Sequence, residues 1–127
     1  MPERTGQAPS SEGPGPDSGF GLRMEVLIAF CTFPDLETAR RIVKEIVDLR
    51  LAACGNILPS LHSIYHWQGK VESNDETLAI FKLAASRYAE FEAKLRALHP
   101  YDVPEIIAHT IDHGLPEYLR WVSEICA

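Results

Sequence analysis

Between Met24 and Phe33 the chain runs almost without interruption through apolar residues, MEVLIAFCTF, several of them β-branched or aromatic. A run that short and that continuous predicts a strand covered on both faces, hence a central strand of a sheet. The next segment, PDLETARRIVKEIVDLRL, changes period: Leu36, Ala39, Val43, Ile46 and Val47 recur at three- and four-residue spacings. That spacing gathers them on one face of a helix from about Pro34 to Arg50. Pro34 and Asp35 suit its start, and Glu37 falls where the first turn favours an acid.

The stretch from Ala53 to Ala85 reads as two long strands joined near Gln68, Gly69 and Lys70, with glycine supplying the turn. On the first arm Ser63, Tyr65 and Trp67 share one face while His62, Ile64 and His66 share the other. Asn74 and Asp75 are the expected place for a bulge in the second arm. SRYAEFEAKLRALHP then aligns Tyr88, Phe91, Leu95 and Leu98 on one helical stripe, with Ser86 expected as N-cap and Pro100 ending the helix before it. PEIIAHTIDHG is a last strand, and PEYLRWVSEIC a short closing helix begun by Pro116 that gathers Tyr118, Leu119, Val122 and Ile125. The order βαββαβ plus a terminal helix predicts an α+β, ferredoxin-like sandwich with an extended β-hairpin and both main helices on one sheet face.

Residues 1–22 break this patterning, with nine Pro or Gly and three Ser among them. So little apolar surface does not offset the ordering entropy, so a disordered N-terminal extension is expected, followed by one domain over 23–127. With 46% hydrophobic and 24% charged residues in 127, the rest has the composition of a globular domain. A net charge of −6 argues against DNA or RNA as a partner, because such binders concentrate Lys and Arg on one face. The chain has no apolar run of the roughly 18–20 residues that would span a bilayer, and no apolar signal segment at its start, so neither membrane insertion nor export is expected. Cys31, Cys54 and Cys126 are three thiols without a CxxC pair, which fits reduced cysteines and a cytoplasmic location.

Four segments together are specific: Thr32-Phe33-Pro34-Asp35, Leu51-Ala52-Ala53-Cys54-Gly55-Asn56, Ser63-Ile64-Tyr65-His66-Trp67-Gln68-Gly69-Lys70 and His99-Pro100-Tyr101-Asp102-Val103-Pro104-Glu105. Over about residues 24–127 the chain resembles the CutA divalent-cation tolerance family. The resemblance implies a homotrimer in which the long hairpins reach past the domain and pair with neighbouring subunits. A hairpin carrying Tyr65 and Trp67 is in any case longer than a four-stranded sheet of this size requires, and exposed aromatic edges invite association.

Topology decides which reactive groups can meet. The first strand and the second helix end at the same edge of the sheet, which brings Cys31, His99 and Glu105 to one end and leaves Cys54 at the other. A thiolate, an imidazole and a carboxylate can hold copper or zinc if they converge within about 2.0–2.3 Å of one ion. Copper is favoured by affinity order, and the family resemblance also implies copper binding around the thiol and the His-Pro-Tyr loop. Each member has an ordinary reading too: a strand cysteine as core filling, a histidine before proline as a turn residue, a glutamate as a loop cap. His62 and His66, four residues apart on a strand, lie about 13 Å from one another, too far to share an ion within one chain. His109 and His113 read as exposed. Lys82 sits among apolar neighbours, so its amine must reach solvent, a carboxylate or a subunit cleft. Tyr101 and Trp67 resemble family positions that line intersubunit clefts, and with Tyr65 and Lys82 they are the expected interface residues.

No nucleophile elbow, phosphate-binding glycine loop or HExxH motif is present, so a non-enzyme is expected. Three function classes stay open: a trimeric metal-tolerance protein, a PII-like trimeric scaffold holding a small anionic effector in its clefts, and an enzyme using the Cys31 thiol.

Overall fold

The structure, a computed structural model, describes residues 25–127. The expected extension 1–22 lies outside the described residues. The elements follow in the order β1 (Val26–Phe33), α1 (Leu36–Asp48), β2 (Cys54–Trp67), β3 (Lys70–Ala84), a single 3-10 turn (Ala85–Arg87), α2 (Tyr88–Leu98), β4 (Ile106–Thr110) and α3 (Pro116–Ile125). The four strands form one antiparallel sheet in the order β2-β3-β1-β4. This is the ferredoxin-like arrangement, with β1 in the interior of the sheet.

Strand alternation splits the sheet residues into two sets. Ala29, Cys31 and Phe33 of β1 and Ala79, Phe81 and Leu83 of β3 are fully buried under α1 and α2. Phe81 joins the layers: Phe91 of α2 meets it edge-on at 5.0 Å between ring centroids. Gly55 lets α1 come close, since a Cβ there would stand 2.6 Å from Cγ1 of Val43. The opposite face is covered at one end by α3, whose Tyr118 hydroxyl lies 3.4 Å from the Cys54 thiol. Beyond α3 that face carries Ile28, Phe30, Leu58, Leu78, Ile80 and Ile107, of which Leu58 and Ile107 are 44% and 56% exposed.

α1 is shorter than its apolar spacing implies, for reasons visible at both ends. Asp35 is extended and caps the helix from outside, its carboxylate accepting from the Thr38 amide at 2.7 Å. Arg50 adopts the left-handed conformation while the Arg50 and Leu51 amides donate to the Val47 and Ile46 carbonyls, which closes the last turn. α2 begins at Tyr88 rather than being capped by Ser86, because the 3-10 turn takes up Ala85–Arg87.

The hairpin turns through Gln68 and Gly69, both with positive φ, between the paired Trp67 and Lys70. Its bulge is not at Asn74 and Asp75, which pair regularly with Ser63 and His62. The register slips instead between Leu58 and Leu61 on the first arm, where Pro59 has no N–H to donate and Ser60 takes a φ of 67°. Beyond that slip the arms Leu61–Trp67 and Lys70–Glu76 pair only with each other.

Candidate functional site

The end of the sheet from which the hairpin departs gathers the residues of chemical interest. His99, the C-cap of α2, is 7% exposed and stacks on Phe33 with centroids 4.8 Å apart. Its Nε2 donates to the Thr32 carbonyl at 2.7 Å, and its Nδ1 accepts from the Tyr101 amide at 3.1 Å. A carbonyl can only accept and an amide N–H can only donate, so the ring is the neutral Nε2–H tautomer with both nitrogens engaged. Burial pushes its pKa below the ordinary value, against the opposing pull of the Thr32 carbonyl and Glu76.

Tyr101, placed by that His99 contact, donates its hydroxyl to Oε2 of Glu76 at 2.7 Å. Burial and the Glu76 carboxylate push the phenol pKa up, so it stays protonated and a donor. Together these contacts tie the 99–105 loop to β1 on one side and to the base of the hairpin on the other. Asp75, adjacent to Glu76 and on the other face, pairs with Nδ1 of His62 at 2.9 Å.

Between loop and hairpin lies a cleft of about 590 Å³, walled by Tyr65, Trp67 and Tyr101 and carrying Glu76, Asp102 and Glu105. Tyr65 is held by Asn74. Among the described residues no Lys, Arg or His lines the cleft.

The expected trio Cys31, His99 and Glu105 shares this end of the sheet without forming a ligand set. Cys31 pairs with Ile106 and turns into the core, fully buried. Its neighbour Thr32, on the opposite face, lines the cleft with Glu105. Burial, with the Glu105 and Glu76 carboxylates adding to it, pushes the thiol pKa up to about 12, so the thiolate a metal or an electrophile needs is suppressed. Both His99 nitrogens are occupied. Among the described residues no group of three or more His, Cys, Asp or Glu is arranged to hold a metal ion. The donor set therefore does not fit a resident copper or zinc centre.

Of the expected interface residues, Tyr65, Trp67 and Tyr101 line the cleft, whereas Lys82 lies elsewhere, on the open sheet face in a hydrogen bond to Asn56. Glu76 and Asp102 were not singled out for the site by sequence reasoning. Asp102 lies inside the His-Pro-Tyr-Asp segment and offered a local signal. Glu76 offered none, because its place beside Tyr101 is set by the strand register.

Comparison with known proteins agrees with the fold. Residues 27–125 match the family model for the CutA1 divalent ion tolerance protein. The divalent-cation tolerance protein CutA of Thermus thermophilus is 45% identical over 97 residues, covering 76% of this chain and 94% of the relative. Protein CutA of Mus musculus is 38% identical over 121 residues, covering 95% of this chain and 68% of its own length. The CutA1 structure from Oryza sativa superposes with a TM-score of 0.79 at 36% identity, covering 82% of this chain and 95% of that one. By sequence, by fold and by the segments around the cleft, the chain belongs to the CutA divalent-cation tolerance family.

Proposed function

We propose that this chain works as a homotrimeric divalent-cation tolerance protein of the cytoplasm, a binding and assembly protein rather than an enzyme. The observation that carries the assembly is the uncovered sheet face. Phe30, Ile80, Leu58 and Ile107 lie together on the sheet face that carries α3 at one end, continuous with a hairpin whose outer arms pair with no other strand of the sheet. Neither feature is stable in water without a partner surface, since an isolated two-stranded arm is marginal and apolar patches seek burial. Copies of the same chain supply that surface, with Trp67 and Tyr65 at the contact.

Membership of the divalent-cation tolerance family supports a role in metal tolerance. With no ligand set built at Cys31, His99 and Glu105, copper or zinc is in this reading exchangeable cargo, met by exposed imidazoles such as His62, which Asp75 orients. The three buried thiols fit a reducing compartment. An enzyme built on Cys31 is disfavoured by the raised thiol pKa. A PII-like scaffold is disfavoured by the sign of the cleft, whose carboxylates repel an anionic effector.

Sedimentation equilibrium of the full chain tests the assembly. Three-chain mass that survives dilution is expected, and Trp67→Asp should shift it towards smaller species; monomer mass for the parent overturns the reading. Calorimetric titration with copper and zinc tests the cargo role. Binding indifferent to Cys31→Ala is expected, and tight stoichiometric binding abolished by both Cys31→Ala and His99→Ala would reinstate a resident centre.

A further inference from the structure

The sheet face that carries α3 is charged at both ends, with opposite signs. At one end stands Lys82, in register with Cys54, whose thiol meets Tyr118 of α3. Across the sheet from Lys82 come Ile28 and then His109. Strand alternation puts Glu76 of β3 and Glu105, one residue before β4, on the same face at its other end, where both lie with Thr32 of β1. Between the two ends lie Phe30, Ile80 and Ile107.

Neither Lys82 nor Glu105 finds an opposite charge within its own chain. The Lys82 ammonium donates to the side-chain carbonyl of Asn56, a neutral partner that takes one of its three donors. Among the described residues no carboxylate pairs with Lys82, and Glu105 is exposed and takes part in no ion pair. Four residues along the strand direction and two strands across separate the pair, about 16 Å, beyond the reach of both side chains. Covering an ammonium with a neighbouring copy, and giving it no carboxylate, is costly.

We infer that Lys82 of one copy forms an ion pair with Glu105 of the partner subunit, and that this pair selects which surfaces meet. The inference rests on the homotrimer proposed above. In a three-fold ring every contact is heterologous, so the surface a copy offers differs from the surface that receives it. Two oppositely charged ends of one face meet that requirement: each copy turns its Lys82 end to one neighbour and its Glu105 end to the other. The wrong register, Lys82 against Lys82, sets like charges together and is rejected. Glu76 is already engaged, accepting from the Tyr101 hydroxyl at 2.7 Å, which leaves Glu105 as the strand-borne carboxylate open to a neighbour.

Subunit exchange between isotope-labelled and unlabelled full chain, followed by native mass spectrometry, reads how fast copies separate. Lys82→Met and Glu105→Gln should each speed exchange by at least about tenfold, because each strands the opposite charge in the contact. The two together should exchange no faster than either alone, since no charge is then stranded. Lys82→Glu should be faster still, and Lys82→Glu combined with Glu105→Lys should return towards the parent rate, a rescue that a merely structural lysine would not show. Circular dichroism of the neutral variants should match the parent. Trimeric parent with exchange unchanged in Lys82→Met or in Glu105→Gln would overturn the inference, as would a reversed pair as fast as Lys82→Glu alone. Monomer mass for the parent would instead remove the trimer itself, so the two failures are distinguishable.

Discussion

Replacing His99 by alanine separates a structural histidine from a metal ligand. In the folded chain the ring makes two hydrogen bonds, to the Thr32 carbonyl at 2.7 Å and from the Tyr101 amide at 3.1 Å. Each is worth about 1 kcal/mol net, and stranding their buried backbone partners raises the loss further. The stack on Phe33 adds about 1 kcal/mol. The expected destabilisation is therefore about 3 kcal/mol before any cavity term. Because Tyr101 loses the group that positions its amide, the loop should also become more open to hydrogen exchange at Tyr101 and Asp102. The assay is denaturant unfolding at one fixed chain concentration, since an assembling chain gains stability by mass action. A variant within about 1 kcal/mol of the parent would refute the reasoning, because two buried backbone groups could not then have lost their partner. Unchanged stability joined to lost copper binding would identify His99 as a ligand instead.

The remaining predictions are independent of one another. His99 has a folded pKa below its ordinary value of 6.5, so the unfolded chain takes up the proton more readily; its contribution is complete above that pH and declines as pH falls below it. Stability measured from pH 7.5 down to 5 should fall, and His99→Gln should flatten that slope; an equal slope in both would sink the assignment. Gly55→Ala places a Cβ 2.6 Å from Val43 and 3.3 Å from Phe81, and unfolding should show a loss of about 1–3 kcal/mol, whereas an unchanged midpoint would mean α1 can slide away. Cys31, with its thiol pKa pushed up to about 12, should resist alkylation by iodoacetamide at neutral pH in the native chain, and rapid labelling with a midpoint below 8.5 would contradict the buried placement.

How much of this was legible in sequence depends on the range of the interaction. β1, α1, α2 and the hairpin turn are written in local spacing: the unbroken apolar run, the three-and-four periodicity and Gly69. Topology then brought Cys31, His99 and Glu105 to one end of the sheet without side-chain detail. What spacing does not carry is orientation. Whether Cys31 faces the core or the cleft follows from its register opposite Ile106, and whether a histidine is a ligand follows from what occupies its two nitrogens. The bulge was misplaced for a related reason. Asn74 and Asp75 have turn chemistry, but Asp75 is held in register by His62, while Pro59 breaks the opposite arm by withholding its N–H. Glu76 became a cleft residue only through a strand pairing that no nearby residue announces.

The irregularity at Pro59 and Ser60 also limits how copies can join. β2 is an edge strand of 14 residues, long enough when straight to template an endless ribbon of chains. The extra residue bends it, and the missing amide leaves a gap in the row of donors, so no neighbour can zip along its whole length. In the proposed assembly, a neighbour pairing along β2 is therefore limited to the segments on either side of the irregularity. An open-ended ribbon needs an unbroken row of backbone donors along the edge, and Pro59 is the residue that denies it one.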